Sequence, residues 1–130
     1  MVGEDGFREQ EATILTEVLG VATPLVLATG GGVVTREANR ARLAAADVFV
    51  VYLHADPAFL ASRAKAKADR FLLAGEEPLD VLTRLYEARD AWYREVADEA
   101  LEVGSFHEWG SQPKRAMAER VAELTRARAA

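Results

Sequence analysis

Apolar positions recur at three- and four-residue spacing through GFREQEATILTEVLGV, where Phe7, Glu11, Ile14, Leu15, Val18 and Leu19 fall on one face. That spacing predicts an amphipathic helix over residues 6–21. Pro24 punctuates, and the continuous apolar run LVLAT (25–29) predicts a short strand covered on both faces. The alanine-rich REANRARLAAA (36–46) reads as helix. VFVVYL (Val48 to Leu53) is dense in β-branched and aromatic residues and reads as the strongest strand. Asp56-Pro57 supplies a cap and a first-turn residue for the next helix, continued by AFLASRAKAKA. DRFLLAGEEP (69–78) is a loop by its Gly and Pro. LDVLTRLYEARDAWYREVADEA (79–100) is a long helix, LEVGSF (101–106) a third strand, and PKRAMAERVAELTRARAA (113–130) a closing helix. This alternation predicts an α/β fold with a parallel sheet and helices on both faces. No internal repeat or domain boundary interrupts it, so residues 1–130 are expected to form one domain.

Composition narrows the function classes. Half of the 130 residues are hydrophobic, which suits a globular domain with a core of its own. A net charge of -5 argues against nucleic acid, because phosphate backbones call for a clustered basic surface. A small anionic ligand needs only a few local arginines and stays open. Cysteine is absent, so no disulfide framework or sulfur-ligated metal is available. The acidic MVGEDGFREQE is no secretory signal, and no run approaches the roughly 20 apolar residues of a membrane span. The expectation is a soluble cytoplasmic protein without a membrane or nucleic-acid partner. His54 and His107 stand alone in sequence and read as surface residues, Trp92 reads as core, and no metal site is expected from these spacings.

Two features carry candidate chemistry. Gly30, Gly31 and Gly32 follow an apolar run, at the carboxyl end of an expected parallel strand, where open sheets bind ligands. They allow either a tight turn or a close backbone approach to a ligand. The spacing matches neither a dinucleotide fingerprint nor a P-loop. In the long helix, Arg89 lies in register with the apolar stripe Leu82, Leu85, Tyr86, Trp92, Tyr93 and Val96. A charge there implies an internal ion pair, a stem reaching to the surface, or a guanidinium gripping a carboxylate or phosphate in a cleft. Arg8 and Glu11 form an i,i+3 pair on the first helix.

The segments GFREQE, VLATGGGVV, DRFLLAG and EARDAWYREVADEAL, in this order and at these intervals, resemble the shikimate kinase family over almost the whole chain. That resemblance implies a P-loop-kinase-like fold and ATP- and magnesium-dependent phosphorylation of the shikimate 3-hydroxyl, a step in aromatic amino-acid biosynthesis. It implies that Gly30, Gly31 and Gly32 form a backbone loop against the shikimate ring. Arg8 and Arg89 would hold the shikimate carboxylate, and Glu11 would steady Arg8. Arg70 in DRFLLAG would be the lid arginine that closes over ATP and stabilises the transferring phosphoryl group. Phe71 stands where the family usually has proline, and GSFHEWGSQP departs from the family's adenine-side loop around Pro113.

The largest departure lies at the start. The family begins with a strand, a G-x-x-x-x-G-K-[ST] loop, a helix, and an aspartate-bearing strand; this sequence starts after them. Lys65, Lys67 and Lys114 stand in no glycine-rich context. In the family, the first strand lies between the strands equivalent to LVLAT and VFVVYL. Its absence predicts a contracted sheet of three strands, or a dimer or complementing P-loop segment that covers the gap. These 130 residues are therefore expected to be a truncated shikimate kinase, inactive alone and doubtful in ATP and magnesium binding. The other readings are a non-catalytic module binding a small carboxylate or a protein, and a different small-molecule kinase of the same fold. A dehydrogenase is excluded for want of the fingerprint.

Overall fold

The computed structural model describes residues 3–21, 23–64, 77–108 and 112–129. Helix α1 (Glu4–Leu19) opens with Glu4 and Asp5, whose charges favour the positive end of its dipole, and ends at Gly20. A short 3₁₀ turn occupies Gly31–Thr35 and leads into α2 (Glu37–Leu43). Strand β1 (Val51–His54) is followed by α3 (Pro57–Ala64). The long helix α4 (Pro78–Val96) precedes strand β2 (Glu99–Glu102), and α5 (Val103–Glu108) and α6 (Pro113–Ala129) close the chain.

The expected helix openings hold where they rest on local chemistry. Asp56 Oδ1 accepts the Ala58 N–H at 2.9 Å, capping α3 with Pro57 as its first residue. Pro78, expected to end the preceding loop, is instead the first residue of α4. The α/β class and the parallel pairing hold as well: β1 and β2 run parallel, with Val51 opposite Glu99 and His54 opposite Glu102.

Elsewhere the boundaries move. The long helix stops at Val96, short of Ala100, because Ala97 turns extended and Asp98 bonds to the start of the sheet. The Asp98 backbone N–H donates to the Val50 carbonyl at 2.8 Å, and its carboxylate accepts the Val50 N–H at 2.8 Å. That double tie pulls residues 99–102 into the ladder beside β1. The strand expected over 101–106 thus comes earlier, and residues 103–108 are helical instead. Strand β1 likewise begins at Val51 rather than Val48.

The contracted three-stranded sheet does not form among the described residues. Their sheet holds β1 and β2, and residues 25–29 belong to no ladder. A strand needs an adjoining edge for its backbone groups. Residues 27–30 instead line a groove of about 250 Å³ with the α1 residues Phe7, Ile14 and Val18. Val26 is 97% exposed, the reverse of a doubly covered strand.

The core lies beneath the 3₁₀ turn. Leu15 of α1, Val33 and Val34 of the turn, Leu43 of α2 and Val96 of α4 form one buried cluster, with Leu19, Val50, Trp92 and Tyr93 packed against it. Trp92 is partly buried against this cluster, on the side its place in the stripe implied. The first helix shows only part of its expected apolar face to this cluster, since Phe7 and Ile14 are 49% and 58% exposed. No helix among the described residues is long and apolar enough to cross a membrane.

Candidate functional site

The 3₁₀ turn is a shelf whose carbonyls are held from several sides. Tyr93 of α4 donates its hydroxyl to the Gly31 carbonyl. Thr35 Oγ1 donates to the Gly32 carbonyl at 2.7 Å, buried Asn39 Nδ2 to Val33 at 2.9 Å, and Arg40 Nη1 to Val34 at 2.7 Å. Arg40 also pairs with Glu95 at 3.2 Å and stacks over Trp92, tying α2 to α4. Buried Val33 and Val34 anchor the turn from below. The glycines are thereby fixed in place although they have no side chains of their own to pack.

Arg8 lies directly against this shelf. A Cβ added to Gly32 would sit 2.2 Å from Arg8 Nη2, closer than any real contact, so only glycine leaves room for the guanidinium there. Arg8 Nη1 donates to Glu11 Oε1 at 2.8 Å, and its Nε faces Glu4 at 3.4 Å. The hydrogen bond to Glu11 is the main influence raising the Arg8 pKa above its ordinary value, and burial opposes it. Both partners are largely shielded, with 16% of the Arg8 and 15% of the Glu11 side chain exposed. Glu11 Oε2 in turn lies 3.3 Å from where a Gly30 Cβ would stand.

Arg89 approaches from α4. Its Nη1 is 3.9 Å from the position of a Gly31 Cβ, and the neighbouring Tyr93 hydroxyl is 3.3 Å from that position. Among the described residues the Arg89 guanidinium has no ion pair or hydrogen bond. Of the readings its register left open, the internal ion pair is not made among the described residues. The structure therefore brings Arg8, Glu11, Gly30, Gly31, Gly32 and Arg89 to one place. Arg70 lies outside the described residues, as do 109–111 of the GSFHEWGSQP stretch.

Sequence reasoning missed the side chains that hold the shelf, namely Thr35, Asn39, Arg40 and Tyr93. It also misplaced His54, which is not a surface residue: its side chain is 12% exposed. His54 Nε2 lies 2.9 Å from the Tyr86 hydroxyl, and its Nδ1 faces the Glu102 carboxylate. Beside it, Tyr52 donates to Asp90 at 2.8 Å, and Asp90 pairs with Arg94 at 2.9 Å. Burial first, and then this bond, push the Tyr52 phenol well above its ordinary range. Burial pushes the Asp90 carboxyl up, but bonds from Arg94 and Tyr52 outweigh it and hold it below its ordinary value. The only sequence signal for this layer is the aromatic stripe of α4.

Comparison with known proteins identifies the frame. The shikimate kinase family model matches residues 1–125. A shikimate kinase from Cupriavidus pinatubonensis is 47% identical over 102 residues, which is 78% of this chain and 52% of that protein. One from Neisseria gonorrhoeae is 44% identical over 108 residues, covering 83% of this chain and 79% of that protein. Among solved structures, shikimate kinase from Acinetobacter baumannii in complex with shikimate superposes with a TM-score of 0.77 at 34% identity. That match covers 97% of this chain and 66% of the solved one. The chain thus spans 52% of the first relative's length while matching the family along nearly all of its own. On the strength of that match and of its α/β architecture with a parallel sheet, the chain belongs to the shikimate kinase family.

Proposed function

We propose that these residues form the shikimate-carboxylate side of a shikimate kinase, the family reaction being phosphorylation of the shikimate 3-hydroxyl by ATP. The observation that carries this reading is the Arg89 guanidinium, free of any partner among the described residues, beside a glycine shelf that holds Arg8 on its surface. A carboxylate between two guanidinium groups accepts paired, charge-assisted hydrogen bonds from each fork. Glu11 holds Arg8 in one rotamer, so less side-chain entropy is lost on binding. Gly30, Gly31 and Gly32 let the ligand ring approach the backbone. Phosphoryl transfer depends chiefly on positioning and electrostatics, and a clamped carboxylate fixes where the ring hydroxyls point.

Membership of the family implies use of ATP and magnesium. The residues in hand do not fit that group by themselves. The sequence has no G-x-x-x-x-G-K-[ST] segment, and no cluster of three or more His, Asp or Glu side chains among the described residues could hold a metal ion. Arg70 is the one residue we assign to the ATP side, as the lid arginine. A polypeptide of residues 1–130 is accordingly expected to bind shikimate without phosphorylating it, and to gain activity only with a complementing P-loop segment.

The test is a calorimetric titration with shikimate on a polypeptide whose folding circular dichroism confirms. Saturable heat is expected, and Arg89→Ala should weaken it roughly 10- to 100-fold, the worth of a charged hydrogen bond. Shikimate methyl ester, which has no carboxylate charge, should lose affinity to a similar degree. No binding by the folded chain, or equal binding of acid and ester, would overturn the assignment. Equal binding would leave a module of the family that recognises something other than the carboxylate.

A further inference from the structure

Arg8 and Arg89 belong to helices far apart in sequence, and a shared carboxylate requires their separation to be fixed. Arg8 is referenced to the shelf by its contact with Gly32. Arg89 has no hydrogen bond among the described residues that would reference it to the shelf. Tyr93 lies one helical turn beyond Arg89 on α4, so the two side chains project from one face of that helix. Its hydroxyl donates to the Gly31 carbonyl, the residue next to Gly32. We propose that Tyr93 is a positioning residue for carboxylate recognition: its bond to Gly31 fixes the gap between the two arginines. This rests on the carboxylate-site reading above.

Thr35 and Asn39 come from the turn and from α2, so they brace the shelf without reporting where Arg89 is. Arg40 does join the shelf to Glu95 of α4, but it holds the Val34 carbonyl, whereas Tyr93 holds that of Gly31 itself. The Tyr93 ring is itself held. Its centroid lies 4.9 Å from that of Tyr52 on β1, and Tyr52 is bonded to Asp90, the residue after Arg89. Ring packing against the sheet therefore sets the phenol, and the phenol sets the shelf against the helix that carries Arg89. The Gly31 carbonyl, once engaged, turns its peptide plane to one orientation, which also fixes the direction of the Gly32 N–H.

The variant Tyr93→Phe removes the hydroxyl and keeps the ring. Shikimate affinity should fall about five- to tenfold, the worth of one neutral hydrogen bond that positions a charged group. The thermal midpoint should change little, because the ring packing against Tyr52 remains. Amide hydrogen exchange of residues 31–34 should quicken while that of α4 stays as it was. The comparison variant Thr125→Val, which removes a hydroxyl bonded to the Val121 carbonyl on α6, should leave both the exchange of residues 31–34 and the affinity as they were. Unchanged exchange of residues 31–34 in Tyr93→Phe would overturn the inference, whether or not the parent chain binds shikimate. Altered exchange with unchanged affinity would overturn it too, reducing Tyr93 to a brace. A parent chain that binds no shikimate defeats the carboxylate-site reading and, with it, the positioning role.

Discussion

Gly32 faces Arg8 so closely that the absence of a Cβ is itself part of the site. Gly32→Ala would drive its methyl into the guanidinium, which sits at the end of a flexible stem and can swing away. The expected outcome is a near-wild-type thermal midpoint with shikimate affinity down at least about tenfold, read by denaturation and calorimetry on the same preparation. Glu11→Gln should weaken binding less, because Arg8 keeps a hydrogen-bond partner but loses the ion pair that aims it. Of the residues proposed for the substrate side, Glu11 and Arg89 were legible because a charge in register with an apolar stripe is visible in sequence, and Arg8 through its place in the family motif. Thr35, Asn39, Arg40 and Tyr93 were not legible. Their work is done on backbone carbonyls, which every residue carries and no pattern of side chains announces.

Among the elements, α2 and the 3₁₀ turn act as one unit through Asn39, which is 2% exposed and bonded to Val33. Asn39→Ala leaves that buried carbonyl without its donor, and should cost about 1–3 kcal/mol in equilibrium denaturation. Leu15→Ala, which opens a cavity where α1 meets the turn, should cost about 2–5 kcal/mol. The link between α4 and β1 carries a pH signature. The Asp90 carboxyl sits below its ordinary value in the folded chain, so its contribution is fully present above the ordinary carboxylate range. It is lost as pH falls through the depressed folded value. The Tyr52 phenol is raised, so its contribution is present below about pH 10 and lost as pH climbs beyond. A plot of thermal midpoint against pH should therefore fall at both ends. Asp90→Asn should flatten the acid limb and Tyr52→Phe the alkaline one; limbs unaltered by these variants would mean other groups control them. The opening of α3 was legible because Asp56-Pro57 acts on its own first turn. The end of α4 was not, because Asp98 answers to Val50, far away in sequence.

At the scale of the whole molecule, the proposed carboxylate site draws on α1, the 3₁₀ turn and α4, which meet over one buried cluster. Arg8 retains partial exposure, and in that proposal two positive groups would act on one anion. Shikimate affinity should therefore weaken several-fold between about 0.02 and 0.5 M salt, as the Debye length shortens. Affinity independent of salt would mean that binding is dominated by the ring and its hydroxyls. The sequence by itself determined the α/β class, the helices other than α5, the apolar β1 run and the family motifs, because periodicity, capping and short fixed spacings are local properties of the chain. Only the tertiary structure decided that residues 25–29 stay outside the sheet with 27–29 lining a groove beside α1, that residues 99–102 rather than 101–106 pair with β1, and that Tyr93 reaches Gly31. Each of those outcomes depends on which backbone groups come within hydrogen-bond reach of each other, and that is settled by packing rather than by neighbours in sequence.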